Sequence, residues 1–278
     1  GGTLALAFLA NDEMRNGTLQ SRWLADFAAG IDYHVQPGTA REPVIPDRGP
    51  WDVRLGYAQL PEFQQRLLNS GYGIERQAVP SRRLSELAAR GVFNVYPEKS
   101  QTGLELLDMN GAVIQQARYP RMVYPDFESI PPLIVQALLY VEDRELLDAT
   151  RPNMNPVVDW ERLAMAIAQQ VLKAFGREHK VFGASTLATQ LEKFRHSPGG
   201  ITHDARYKFY QMGSASLRVY SQGPATLPAR RNLVLNYLNS LPLAAQPGFG
   251  EVSSLGDGLQ AWYGSDAAAA NRVLASAS

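Results

Sequence analysis

Hydrophobic residues fall into two regimes along this chain. From residue 131 onward they recur at helical spacing. Residues 131–141 are an apolar run, and Leu163, Ile167, Val171 and Phe175 follow Asp159, a competent helix cap. Leu187, Leu191 and Phe194 follow a Gly-Ala-Ser-Thr turn, and Leu233, Tyr237 and Leu238 follow Pro228, a residue suited to the first helical turn. Residues 206–220 read as a further helix interrupted at Gly213, and 267–278 as the start of another. Upstream the pattern is mixed. A helical patch at 22–27 leads into a Pro/Gly-rich connector at 37–50, then helices near 61–70 and 81–90, a short strand at 93–96, and a hairpin over 104–114 turning at Asn110-Gly111. The pattern predicts an α+β chain whose second half is mainly helical.

Composition sets outer limits. With 278 residues and 45% hydrophobic positions, the chain can fill the core of one large domain or two modest ones. A net charge of zero argues against a general nucleic-acid binder. The absence of cysteine removes any disulfide framework and fits a bacterial envelope protein without requiring one. Residues 1–10 are apolar but too short to cross a bilayer, which takes about 20 residues. They fit either the trimmed end of an anchor or signal segment, or a buried first helix. Residues 171–177 mix apolar and basic positions as interfacial segments do, although core packing explains them better. Of the four histidines, none has metal-ligand spacing, and His196 and His203, flanking Ser-Pro-Gly-Gly, read as solvated loop residues. Ser185 lacks a serine-hydrolase context, and no phosphate-loop or dinucleotide fingerprint is present.

Glu142-Asp143 closes the apolar run at 131–141. A carboxylate there is partly desolvated and suits general-base work, though most acidic pairs at helix ends are simply solvated. Downstream, Ser185 or Thr186 can cap a helix whose free N–H groups form an anion site. Gln190 and Lys193 lie one turn apart on it. An ordinary cap with a solvated lysine is the bland alternative for that stretch alone.

The order of four segments narrows these readings. Residues 131–144 resemble the first motif of the family 51 glycosyltransferases, the peptidoglycan polymerases of penicillin-binding proteins and monofunctional transglycosylases. Residues 182–193 resemble the second motif, Gly-Gly-Ser-Thr-Ile-Thr-Gln-Gln followed by Lys. Residues 207–211 sit where Arg-Lys-x-x-Glu belongs, and 233–239 match the tail of Ile-Leu-Glu-x-Tyr-Leu-Asn. The resemblance spans roughly 111–265. It implies a lysozyme-like, mainly α-helical glycosyltransferase domain at 111–278, preceded by a membrane-proximal segment (1–35) and a small α/β accessory module (36–110).

The same resemblance implies a reaction. Glu142 would take the proton of an acceptor sugar 4-hydroxyl, which displaces undecaprenyl pyrophosphate with inversion, and Gln211 holds the position of a second catalytic group. Asp143, Ser185, Thr186, Gln190, Lys193, Lys208 and Asn239 would bind substrate, the lysines facing the pyrophosphate. No organic cofactor is implied, while Mg2+ or another divalent cation is compatible. The implied partners are lipid-linked precursor, nascent glycan and the inner-membrane surface at its periplasmic face, reached by an N-terminal anchor, with residues 36–110 available to envelope proteins. The departures are Leu146 and Ala149 for Phe and His, Thr189 for a glutamine, Tyr207 for Arg, and Gln211 and Leu235 for two glutamates. They open a second reading, a catalytically weak or inactive pseudoenzyme that binds precursor or glycan. A third, a glycan-cleaving enzyme with one catalytic Glu, has no need of a pyrophosphate cradle.

Overall fold

The computed structural model describes residues 2–40, 44–160, 162, 163, 165 and 185–276. The turn residues Gly183 and Ala184, the segment 171–177, His179, and the helical positions Ile167, Val171 and Phe175 lie outside the described residues. At the start of that expected helix, Asp159 Oδ1 accepts the Arg162 N–H at 2.9 Å, as a cap should.

Among the described residues about half are helical and two small antiparallel sheets form, an α+β fold whose C-terminal part is the helical, lysozyme-like domain. Helices α1 (Gly2–Asn16) and α2 (Thr18–Ala28) lead to strand β1 (Tyr33–Pro37). A short helix α3 (Pro50–Arg54) and helix α4 (Leu60–Asn69) precede strand β2 (Arg76–Pro80) and helix α5 (Arg82–Ala89). β1 and β2 pair antiparallel, Tyr33 opposite Pro80, which sequence pattern did not reveal. The predicted hairpin is β3 (Thr102–Leu107) with β4 (Val113–Tyr119). Its turn needs a left-handed residue, supplied by Gly111 at φ 83°, and Asp108 Oδ1 accepts the N–H groups of Asn110 and Ala112, both at 2.8 Å.

Helices α6 (Pro132–Val141), α7 (Leu187–His196), α8 (Ala205–Tyr220), α9 (Leu227–Ser240), α10 (Leu255–Tyr263) and α11 (Ala267–Ser276) follow. α7 packs on α8 and α9, and α2 packs on α8, so Ala25 and Ala28 share a core with Leu187, Leu191, Ala215, Leu233 and Val234. Burial of such apolar surface stabilises by roughly 25 cal/mol per Å2. Two expectations need correction. Gly213 does not interrupt α8, because a helical glycine lowers propensity without removing a hydrogen bond. Residues 93–96 form no strand: Ser214 Oγ takes the Phe93 N–H at 2.8 Å, and Arg218 donates to the carbonyls of Tyr96 (3.1 Å) and Asn94 (3.3 Å), so side chains of α8 replace a neighbouring strand.

α1 is not a buried first helix. Leu4, Leu6, Phe8 and Leu9 are all exposed. Among the described residues, no helix is long and apolar enough to cross a membrane.

Candidate active site

α6 ends because Glu142 is its last hydrogen-bonded position, its N–H reaching Leu138 O at 2.9 Å before the chain turns. Asp143 then closes a local turn by accepting the Glu145 N–H at 2.9 Å. The loop that follows is fastened from behind by Arg230 of α9. Its guanidinium is fully buried and donates to the carbonyls of Leu146 (2.9 Å), Asp148 (3.2 Å) and Arg151 (2.7 Å). Leu146, where the family's motif has Phe, is 1% exposed and fills the core beneath this loop.

α7 starts at Thr186, whose β-region backbone marks a true N-cap. Thr186 and Thr189 form a reciprocal capping box, Thr189 Oγ1 accepting the Thr186 N–H at 3.0 Å. Thr189 thus trades the family's glutamine for helix initiation. From the second turn of α7, Gln190 Nε2 donates to Glu142 Oε2 at 2.7 Å, joining the first and second motifs. One turn farther lies Lys193. From α8, Lys208 Nζ donates to Ser185 Oγ at 2.7 Å. Burial, together with the neighbouring Lys193 ammonium, lowers the Lys208 pKa. No carboxylate pairs with either lysine among the described residues.

The first and second motifs therefore meet as a half-buried carboxylate held by Gln190 and, from Lys193 one turn along α7 and Lys208 of α8, two adjacent ammonium groups, the second of which donates to the Ser185 hydroxyl. Asp143 and Thr186 line a small cavity of about 130 Å3 that also touches Asn11 and Arg15 of α1. Sequence reasoning passed over Tyr237. It is 7% exposed, its ring lies 6.2 Å from that of Phe194, and burial followed by the negative charge of Glu142 raises its phenol to about 12. The apolar spacing of α9 placed Tyr237 on the inward stripe with Leu233, but nothing local in the sequence signals that it lies near Glu142.

Two of the expected site residues are not brought to this cleft. Gln211, one turn along α8 from Lys208, is wholly buried, its amide donating to Ser197 Oγ and Thr202 Oγ1, both at 2.9 Å. Asn239 is 1% exposed, and its amide accepts the Tyr124 N–H and donates to the Tyr124 carbonyl, both at 2.8 Å. Both side chains spend their polar groups on the fold. The expected solvation of His196 is also wrong: it is 2% exposed and held between two carboxylates. His203 does lie on the surface, against Pro198 O at 3.0 Å. Among the described residues, no three His, Asp or Glu side chains converge as metal ligands.

A family model described as Transglycosylase matches residues 110–274. Comparison with curated proteins gives no match.

Proposed function

The chain belongs to the transglycosylase family, and on that premise we propose that it polymerises lipid-linked disaccharide-peptide units into glycan at the periplasmic face of the inner membrane, releasing undecaprenyl pyrophosphate. The observation that carries this reading is the contact between Glu142 and Gln190, with Lys193 and Lys208, which no carboxylate pairs among the described residues, beyond it on the same helix and its neighbour. Glu142 accepts the proton of the acceptor 4-hydroxyl. That oxygen bonds to the donor anomeric carbon from the face opposite the leaving group, and the electron pair of the broken C–O bond departs with the pyrophosphate. Gln190 orients the Glu142 carboxylate. Lys193, Lys208 and Ser185 provide a preorganised field where negative charge grows, the largest kind of catalytic stabilisation. The exposed apolar residues of α1 suit a protein working at a lipid surface.

A second reading is favoured by Gln211, Ala149 and Leu235. With a buried amide at the third motif's carboxylate position, the cleft could bind precursor without joining it. The two readings separate on products. Incubation with labelled lipid-linked disaccharide in detergent should yield polymer and free lipid pyrophosphate; bound but unconverted substrate at saturating protein would transfer the conclusion to the binding reading.

A further inference from the structure

Behind the cleft, α7 and α8 are tied to the N-terminal half by a closed set of charges. His196, at the end of α7, meets Asp52 of α3 at 3.0 Å through Nδ1 and Glu98 at 2.8 Å through Nε2. Glu98 also takes Arg195 of α7 at 2.5 Å and Arg218 of α8 at 2.7 Å, and Arg218 continues to Glu192 of α7 at 2.7 Å. The Tyr96 hydroxyl donates to Asp52 at 3.3 Å. The side chains of Asp52, Glu98, Glu192, Arg195 and His196 are all 5% exposed or less.

Three carboxylates here face two guanidiniums, so the cluster is neutral only when His196 carries a proton. An uncompensated charge at this depth is strongly unfavourable. Burial alone would push the imidazole down, but the Glu98 charge and the hydrogen bonds that the imidazole donates to Asp52 and Glu98 outweigh it and hold His196 at about 9. Glu98 is itself held well below the usual carboxylate range, its burial outweighed by Arg218, His196 and Arg195. Backbone packing confirms how close the union is: a Cβ on Gly49, just before α3, would stand 2.0 Å from Arg195 O, so only glycine lets α3 seat against α7.

We propose that Asp52 and Glu98 are positioning residues for the cleft, which through a protonated His196 lock α7 against α8 and so set Gln190 and Lys193 relative to Lys208. The assignment rests on the cleft described under Proposed function. It makes the N-terminal module part of the site's framework, because Arg195 and His196 have their main counter-charge, Glu98, outside the region matched by the family, and Arg218 has its second there after Glu192.

The full chain tests this in two steps. In an NMR titration, His196 should remain protonated at neutral pH in the wild type and become neutral in Glu98→Gln, since removal of one carboxylate leaves Asp52 and Glu192 balanced by the two guanidiniums. Next, His196→Gln should lower the melting temperature and weaken inorganic pyrophosphate binding by roughly tenfold, and adding Glu98→Gln should restore both in part, because the double variant is again neutral. Packing alone predicts additive losses. The proposal is overturned if His196 titrates alike in wild type and Glu98→Gln, if the double variant is no better than His196→Gln, or if pyrophosphate affinity is unmoved while stability falls. Should His196→Gln fail to fold, the titration and pyrophosphate affinity of Glu98→Gln decide. The titration does not depend on polymerisation, so an inactive wild type with the expected His196 behaviour would sink the functional reading and leave the charge lock standing.

Discussion

Glu142 in the cleft and Glu98 in the buried cluster are the same side chain in opposite states of satisfaction. Glu142 is partly exposed and, among the described residues, its carboxylate has one hydrogen-bond partner, Gln190, whereas Glu98 is enclosed by His196, Arg195 and Arg218. Among the described residues the lysines of the cleft are likewise without carboxylates, while the arginines of the cluster are shared among them. Charges already neutralised by the fold have little left to give a ligand. Charges left incomplete can act on one, and they can be removed without unsettling the core. The contrast predicts that variants of the two regions will differ in kind: cluster variants lose stability together with the placement of α7 at the cleft, whereas cleft variants lose chemistry with little loss of stability.

The largest effect on stability is expected from Arg218→Met. It leaves Glu98 and Glu192 short of a buried counter-charge, and breaking such a pair costs about 3–5 kcal/mol; denaturant unfolding measures it. A loss within a few tenths of a kcal/mol would mean the cluster is not what holds α8 to α7.

The pH dependence of stability sharpens the same point. His196 has a folded-state value of about 9, above its ordinary value of 6.5. Its contribution is therefore complete below about pH 6.5 and lost as pH rises through 9, a change on the order of 3 kcal/mol. Melting temperatures between pH 6 and 10 should fall in that window for the wild type, and the fall should vanish in Glu98→Gln.

Gln211→Glu comes next. The position is enclosed, so the new carboxylate loses solvation and both amide-donated bonds, at about 1–3 kcal/mol. No gain in turnover is expected, since the side chain faces Ser197 and Thr202; a clear gain would show that this position communicates with the cleft after all. Lys208→Met should be milder for stability and more telling for binding. Affinity for a lipid pyrophosphate should drop about tenfold, the scale of one charge-assisted hydrogen bond, with affinity for a sugar lacking pyrophosphate unchanged.

How far the sequence revealed all this follows from the range of the interactions involved. The helices at 132–141, 187–196, 205–220 and 227–240 were legible because they depend on local spacing and caps, as Thr186 and Pro228 show, whereas Leu255–Tyr263 was not anticipated. The pairing of Glu142 with Gln190 could be anticipated only as two motifs in order, since nothing local says that residues 48 apart will touch. The roles of Asp52, Glu98 and His196 were not legible. An isolated acidic residue or a histidine before Ser-Pro-Gly-Gly reads as solvated until the fold brings positions 98 apart together. Gln211 and Asn239 misled for the opposite reason, because motif position suggested ligand contact where backbone and hydroxyl partners had already claimed both amides.

The most direct test of the division between cleft and cluster is a paired measurement on Glu142→Gln. This variant preserves shape and can keep a hydrogen bond with Gln190, so its melting temperature should match the wild type within about 2 °C, less than 1 kcal/mol for a chain of this size. Turnover of labelled lipid-linked disaccharide into polymer should fall by about 100-fold or more, as when a general base is lost. Turnover equal to the wild type would contradict the assignment of Glu142, and a fall in turnover matched by a large fall in melting temperature would place Glu142 with the cluster rather than the chemistry.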